Sequence, residues 1–470
     1  MSDARLPWLP ATELAALIRR KKVSPVEVVD AVLDRIERLN PKLNAFVTLT
    51  AEQARRDAKA AERALGRRGA KLGALHGVPF SVKDLVITRG VRTTFGTPLY
   101  RDNVPTEDAP MVERLKAAGG ILLGKTNTPT FGWIGATHNL LFGPTRNPWN
   151  LERTPGGSSG GASAAAAAGL GPLHVGTDGG GSIRIPASCA GIFGHKPSYG
   201  RIPTAPPSGA WSLSHIGPMT RTVADAALML NVCAGPDERD QYSLPAERVD
   251  YVKALGRSLK GLRVAYTDDL GFADAVDPEI RAVCAKAAKA FRETGSRLET
   301  VKPGWPSPRD CWYEIFCGGI ATRLAPYRDR RDEIEPGLYQ IIESELRNPP
   351  TRYVQAWFDR LAWWEHPRRF FETYDLLLTP TIACAPFAIG LDNPAEIAGT
   401  PVAPYAWIPF TFPFNMTGQP AASVPCGFTR EGLPIGLQIV GRRGDDVTVL
   451  RAAAAFERVR PWAQHRPPLD

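Results

Sequence analysis

Three stretches of this sequence hold residues whose types and spacing suit acyl-transfer chemistry. The first, Gly77-Val78-Pro79-Phe80-Ser81-Val82-Lys83-Asp84, ends a short apolar run on a lysine. The second, residues 154–163, reads TPGGSSGGAS, and the third, residues 176–186, reads GTDGGGSIRIP. Desolvation disfavours an ammonium, so a lysine set among apolar groups gives up its proton and becomes a usable base. A glycine run that closes on a serine lets successive backbone N–H groups converge on one point. A developing oxyanion needs such a point beside its nucleophile. One loop of this kind would be an ordinary turn, because Gly and Ser are common turn residues. Two such loops and a lysine together point to a serine nucleophile served by a lysine base.

Two further pattern matches carry less. Residues 119–126 (GGILLGKT) satisfy the phosphate-loop expression, but Ile121, Leu122 and Leu123 stand where an exposed glycine-rich loop is required. They read as a strand, which sets nucleotide binding aside. Residues 156–160 (GGSSG) fit GxSxG, yet the preceding NLERTP is polar and turn-like where a nucleophile elbow needs an apolar strand. Asp375 and His465 would complete a Ser–Asp–His order, as residues of many long chains would.

The elements that must position these residues follow from periodicity. The first 65 residues read as helices, with Ser24-Pro25-Val26-Glu27 supplying an N-cap, a proline at the first helical position and a glutamate three residues on. From 73 to 182, short apolar strands (78–82, 120–123, 173–175) alternate with helical stretches (110–118, 162–168). That alternation marks an α/β layered sheet. Residues 235–375 are mainly helical, charged and rich in large aromatics, forming a variable segment suited to a pocket wall or lid. Strands return at 376–378, 421–424 and 435–440 before a final helix at 447–459. We expect one domain over 1–470, its core built from both ends of the chain.

Composition bounds the rest. A chain of 470 residues buries a large core without metal or disulfide staples. Its seven cysteines include no CxxC, which argues against a disulfide framework or a zinc site and for a reducing, cytoplasmic location. No apolar leader opens the sequence and no run of about 18 apolar residues occurs, so neither export nor a membrane span is expected. Asn415-Met416-Thr417 is then a chance glycosylation match. The net charge of +9 comes from basic residues scattered in ones and twos, Arg67-Arg68 and Arg442-Arg443 among them, without an aromatic RNA-binding signature. Nucleic acid is not an expected partner.

The two glycine–serine loops closely resemble those of the amidase signature family. The resemblance covers nearly the whole chain and includes residues 194–201 (GHKPSYGR), 217–222 (GPMTRT), 418–427 (GQPAASVPCG) and 433–438 (LPIGLQ). It implies a large mixed, twisted β-sheet flanked by helices on both faces. It also implies a Ser–Ser–Lys triad with Ser182 as nucleophile, Ser158 as a bridging serine after a cis peptide, and Lys83 as base. The intervals of 24 and 75 residues between them look typical of the family. Ser159, one residue off in register, is the competing choice for the bridge. The oxyanion hole would be the backbone N–H groups of Gly179, Gly180, Gly181 and Ser182. No metal or organic cofactor is implied. Asp178 and Arg184 read as an ion pair that holds the loop, Cys189 as a small buried thiol, and His195 and His215 as structural. Gly179 departs from the family pattern, which has a variable residue there.

Substrate binding is expected at Gly132, Trp133 and Ile134, with Trp133 as an apolar wall. The aromatics of the middle segment (Trp305, Trp312, Tyr313, Phe316, Trp357, Phe358, Trp363, Trp364) read as core. The expected activity is hydrolysis of small to medium apolar or aryl amides by a chain acting alone, as monomer or homodimer. Carbamates and esters are alternative substrates for the same triad. The other alternative is the A subunit of a tRNA-dependent amidotransferase, which works only with partner subunits.

Overall fold

The computed structural model describes residues 4–67 and 69–469; residues 1–3, where part of the N-terminal stretch expected to lack an apolar leader falls, lie outside that description, as do Arg68 and Asp470. Among the described residues, thirteen strands run in chain order: β1 Phe46–Leu49, β2 Pro79–Lys83, β3 Ile121–Thr126, β4 Leu173–Asp178, β5 Phe193–Lys196, β6 His215–Thr220, β7 Arg263–Tyr266, β8 Arg297–Thr300, β9 Leu376–Pro380, β10 Glu396–Ile397, β11 Thr400–Pro401, β12 Ala421–Phe428 and β13 Pro434–Gly441. The helices are α1 Ala11–Arg19, α2 Pro25–Leu43, α3 Ala51–Leu65, α4 Pro110–Ala117, α5 Gly160–Ala167, α6 Arg184–Ala190, α7 Val223–Cys233, α8 Tyr251–Ala254, α9 Pro278–Lys289, α10 Arg309–Leu324, α11 Pro336–Glu345, α12 Pro350–Trp363, α13 Glu365–Thr373, α14 Pro413–Met416 and α15 Asp446–Val459.

Eleven strands form one mixed sheet in the order β1-β3-β2-β4-β6-β5-β12-β13-β9-β7-β8, and β10–β11 is a separate hairpin. β2 runs parallel to both β3 and β4, and β7 runs parallel to both β8 and β9; the other neighbours are antiparallel. Helices cover both faces. α5 and α6 pack on each other and on the sheet, while α7 and α15 do the same on the opposite face. β2, β3, β9 and β13 are buried at every residue, which is why they read as unbroken apolar runs rather than as alternation. β12 and β13, from the C-terminal end, sit between β5 and β9, so the middle of the sheet joins residues 193–220 to residues 421–441, while β1, the strand nearest the N-terminus, is at an edge.

Local signals act as read at α2: Ser24 Oγ accepts from Val26 N–H, and Glu27 reaches back to the Ser24 N–H at 2.8 Å. The phosphate-loop look-alike is β3, with Lys125 fully buried and bonded to Val86 O, Thr88 Oγ1 and Thr93 Oγ1. Two central strands escape the sequence reading, β5 and β6. β6 contains Gly217 and Pro218, residues that argue against a central strand; its pairing with β5 ends at Gly194–Met219, one residue before Pro218. The segment 235–375 also holds β7 and β8, four residues each, at one edge of the sheet. All seven cysteines are free thiols. Among the described residues no helix is long and apolar enough to cross a membrane.

Candidate active site

Lys83 is the last residue of β2, and parallel pairing with β4 carries it to the end of the sheet where the glycine–serine loops converge. Its side chain is fully buried. Nζ lies 2.7 Å from Ser158 Oγ and 2.9 Å from Thr177 Oγ1. Burial pushes its pKa well below 10.5, against the pull of the Asp178 carboxylate. Burial thus favours the neutral amine over the ammonium.

The loop before α5 presents Ser158. Its Gly157–Ser158 peptide is cis. A Cβ on Gly157 would lie 2.2 Å from Ala136 O, so only glycine fits there. Ser159 is turned away: its hydroxyl donates to Thr177 O on β4. Its N–H donates to Ser182 O at 3.2 Å and ties the two loops together.

The second loop leaves β4 at Asp178. Asp178 Oδ1 accepts from Gly181 N–H at 2.8 Å and Oδ2 from Ile183 N–H at 3.1 Å. Arg184 Nε and Nη2 clamp the same carboxylate at 3.0 and 2.9 Å, with both side chains fully buried. Burial is the largest influence on Asp178 and works to raise its pKa, but Arg184, Lys196 and Asn415 together outweigh it and hold the carboxyl well below the usual range. Arg184 also bonds Thr411 O, Gln438 Oε1 and Asn415 Oδ1, fastening the loop to α14 and β13. Of the four N–H groups expected to form an oxyanion hole, that of Gly181 is thus already committed to Asp178. The carbonyls of Gly179 and Gly180 are held by Trp312 Nε1 at 3.1 Å and Thr411 Oγ1 at 2.7 Å. The N–H groups of Gly179, Gly180 and Ser182 have no protein acceptor among the described residues.

Ser158, Thr177, Gly179 and Ser182 open onto one cavity of about 950 Å³, counting its open mouth. Its apolar wall includes Ile87, Phe95, Phe131, Ile216, Phe316 and Ile320. Gly132 lines it too, and a Cβ there would lie 2.9 Å from Ser158 Oγ. Trp133 and Ile134 do not line it: both are buried in the core beside it, with Tyr405 donating to Trp133 O. The cause is Phe131, whose φ of 48° turns the chain so that Phe131 supplies the ring expected of Trp133. The middle-segment aromatics divide. Trp305, Trp312 and Trp363 are core, Phe316 is on the cavity wall, and Phe358 is 62 % exposed. Sequence reasoning missed Phe95 and read Phe316 and Trp312 only as core; all three lie far along the chain from the loops, and only the helical spacing of Trp312, Phe316 and Ile320 could have hinted at a shared face.

The remaining candidates are structural. His195 bonds Asp446 at 3.2 Å and His215 Nδ1 lies 2.8 Å from Leu213 O. Cys189 is buried, which pushes its thiol pKa well up.

The profile of the family described as Amidase matches residues 27–450. An acylamidase from Rhodococcus erythropolis is 44 % identical over 473 residues, covering 99 % of this chain and 98 % of that protein. The A subunit of a glutamyl-tRNA(Gln) amidotransferase from Moorella thermoacetica is 40 % identical over 492 residues, covering 99 % of each. The crystal structure of a bacterial aryl acylamidase of the amidase signature enzymes superposes with a TM-score of 0.91 at 36 % identity, covering 97 % of each chain. With a matching profile, relatives aligned from end to end and a fold that superposes over nearly the whole chain, the chain belongs to the amidase signature family of amide-hydrolysing enzymes.

Proposed function

We propose that the protein hydrolyses small to medium apolar or aryl amides through an acyl-enzyme on Ser182, acting alone in the cytoplasm. The observation that carries this reading is the buried Lys83 Nζ, 2.7 Å from the hydroxyl of Ser158, a residue that lines the same cavity as Ser182. Neutral Lys83 accepts the Ser158 proton while Ser158 accepts that of Ser182, and Ser182 Oγ bonds to the substrate carbonyl carbon. The N–H groups of Gly179, Gly180 and Ser182 meet the oxyanion; one such donor is typically worth about 3 kcal/mol. As the C–N bond breaks, the proton returns from Lys83 through Ser158 to the leaving amine. Water then repeats the sequence and releases the acid.

The phenylalanine and isoleucine wall supports an apolar or aryl substrate, in keeping with the acylamidase relatives. Carbamates and esters present the same carbonyl, and a panel of anilides, a carbamate, an ester and glutamine ranks them. Turnover of anilides by the purified chain is the expected result. Likeness to amidotransferase A subunits supports a second reading, for which glutamine would be the one substrate turned over, and only with partner subunits present.

A further inference from the structure

Among the described residues, the cavity wall holds one charged side chain. Phe316, Ile320 and Arg323 recur at i, i+4 and i+7 on α10 and all three line the cavity, so one helix face is apolar near the loops and cationic one turn further on. Arg323 is half-buried, and no acidic side chain among the described residues lines the cavity. Its guanidinium lies 4.7 Å from the centre of the Phe131 ring and 5.6 Å from that of Phe95. Those rings stack on each other at 5.4 Å, and Tyr100 packs edge-on against both. Stacking engages the face of a guanidinium and leaves the N–H groups on its edge available. Among the described residues Arg323 makes no hydrogen bond or ion pair with a protein acceptor, whereas the buried Arg184 meets an acceptor on each of its three nitrogens. A pinned, unpaired cation on an apolar wall attracts an anion more strongly than one in open water does.

We propose that Arg323 is a specificity-determining residue that favours amides whose apolar or aryl body ends in an anionic group, a carboxylate or a sulfonate. This names the substrate class of the site and rests on the amidase reading above. The substrate lies along the phenylalanine wall with its scissile carbonyl at Ser182 and its anion on the guanidinium edge.

The test compares 4-acetamidobenzoate with its neutral counterpart 4-methylacetanilide in two assays. Calorimetry on the full-length Ser182→Ala protein reads binding without turnover, and kcat/KM on the wild type reads hydrolysis. The carboxylate is expected to be preferred on the order of tenfold to a hundredfold, the range of one charge-assisted hydrogen-bonded pair. Adding Arg323→Met should bring the ratio to about one, Arg323→Lys should restore part of it, and Arg323→Glu should invert it. A ratio within one protein is insensitive to partial loss of folding, and the three variants guard against one that fails to fold. Hydrolysis of the anilide with no preference for the carboxylate, or with a preference that Arg323→Met leaves unchanged, overturns the proposal and leaves the amidase reading standing. Preferential, Arg323-dependent binding in a protein that hydrolyses neither compound supports the anion site and overturns the amidase reading.

Discussion

Lys83 concentrates the chemical argument in one side chain. An exposed lysine is protonated up to its ordinary value near 10.5, whereas burial pushes this one well below it. The proposed relay needs the neutral amine, so kcat/KM should rise with pH and level off well below pH 10.5. A profile that keeps climbing to pH 10.5 would remove Lys83 from the base role. The same residue shows what a sequence offers. Its place at the end of an apolar strand foretold its burial, and the family resemblance chose Ser158 over Ser159. Only coordinates showed Ser159 bonded back to β4. Trp133 shows the opposite case. A single left-handed residue, Phe131, moved the expected ring two positions along the chain, and a non-glycine residue in that conformation carries no dependable sequence signal.

The nucleophile loop depends on helices that arrive from far along the chain. Trp312 of α10 is stacked between Phe316 and Phe412, with ring centres 5.0 and 5.1 Å away, and holds Gly179 O through its indole N–H. A Cβ on Gly180 would lie 2.4 Å from Trp312 Cζ2, and the flanking rings leave the indole nowhere to move. Gly180→Ala should therefore shift the loop and lower kcat on the order of 10²- to 10³-fold, the size of one lost oxyanion donor. Adding Trp312→Phe should recover part of that loss, a coupling that a double-mutant cycle measures. Strands with unbroken apolar runs and helices with caps were legible because their signals are local. β6 was not, since Gly217 and Pro218 oppose a strand locally and only its place between β4 and β5 makes it one. The cavity wall on α10 was illegible for the same reason: more than a hundred residues separate Ser182 from Phe316, and packing alone unites them.

At the scale of the whole molecule, Arg184 and Asp178 join α6, β4, α14 and β13 in one buried network. Removing one partner of a buried pair strands the other charge, so Arg184→Met should cost about 3–5 kcal/mol of stability in urea unfolding at pH 7. Asp178 is held below its ordinary 3.8, so its contribution is present above that pH and is lost as pH falls through the lowered value. An unchanged urea midpoint for Arg184→Met would mean that the pair does not hold the loop. β12 and β13 sit at the centre of the sheet, so a chain ending before Ala421 should fail to fold rather than lose a tail; circular dichroism of that truncation, compared with a single transition in the full chain, checks this. The central claim concerns covalency at one serine. The most direct measurement mixes the purified chain with a slowly deacylated aryl ester or anilide, quenches in acid, and maps the added acyl mass by peptide mass spectrometry. The account predicts one acyl group on the peptide carrying Ser182, absent from Ser182→Ala, whose turnover falls by several orders of magnitude. An acyl group on another residue, or wild-type turnover in Ser182→Ala, would contradict it.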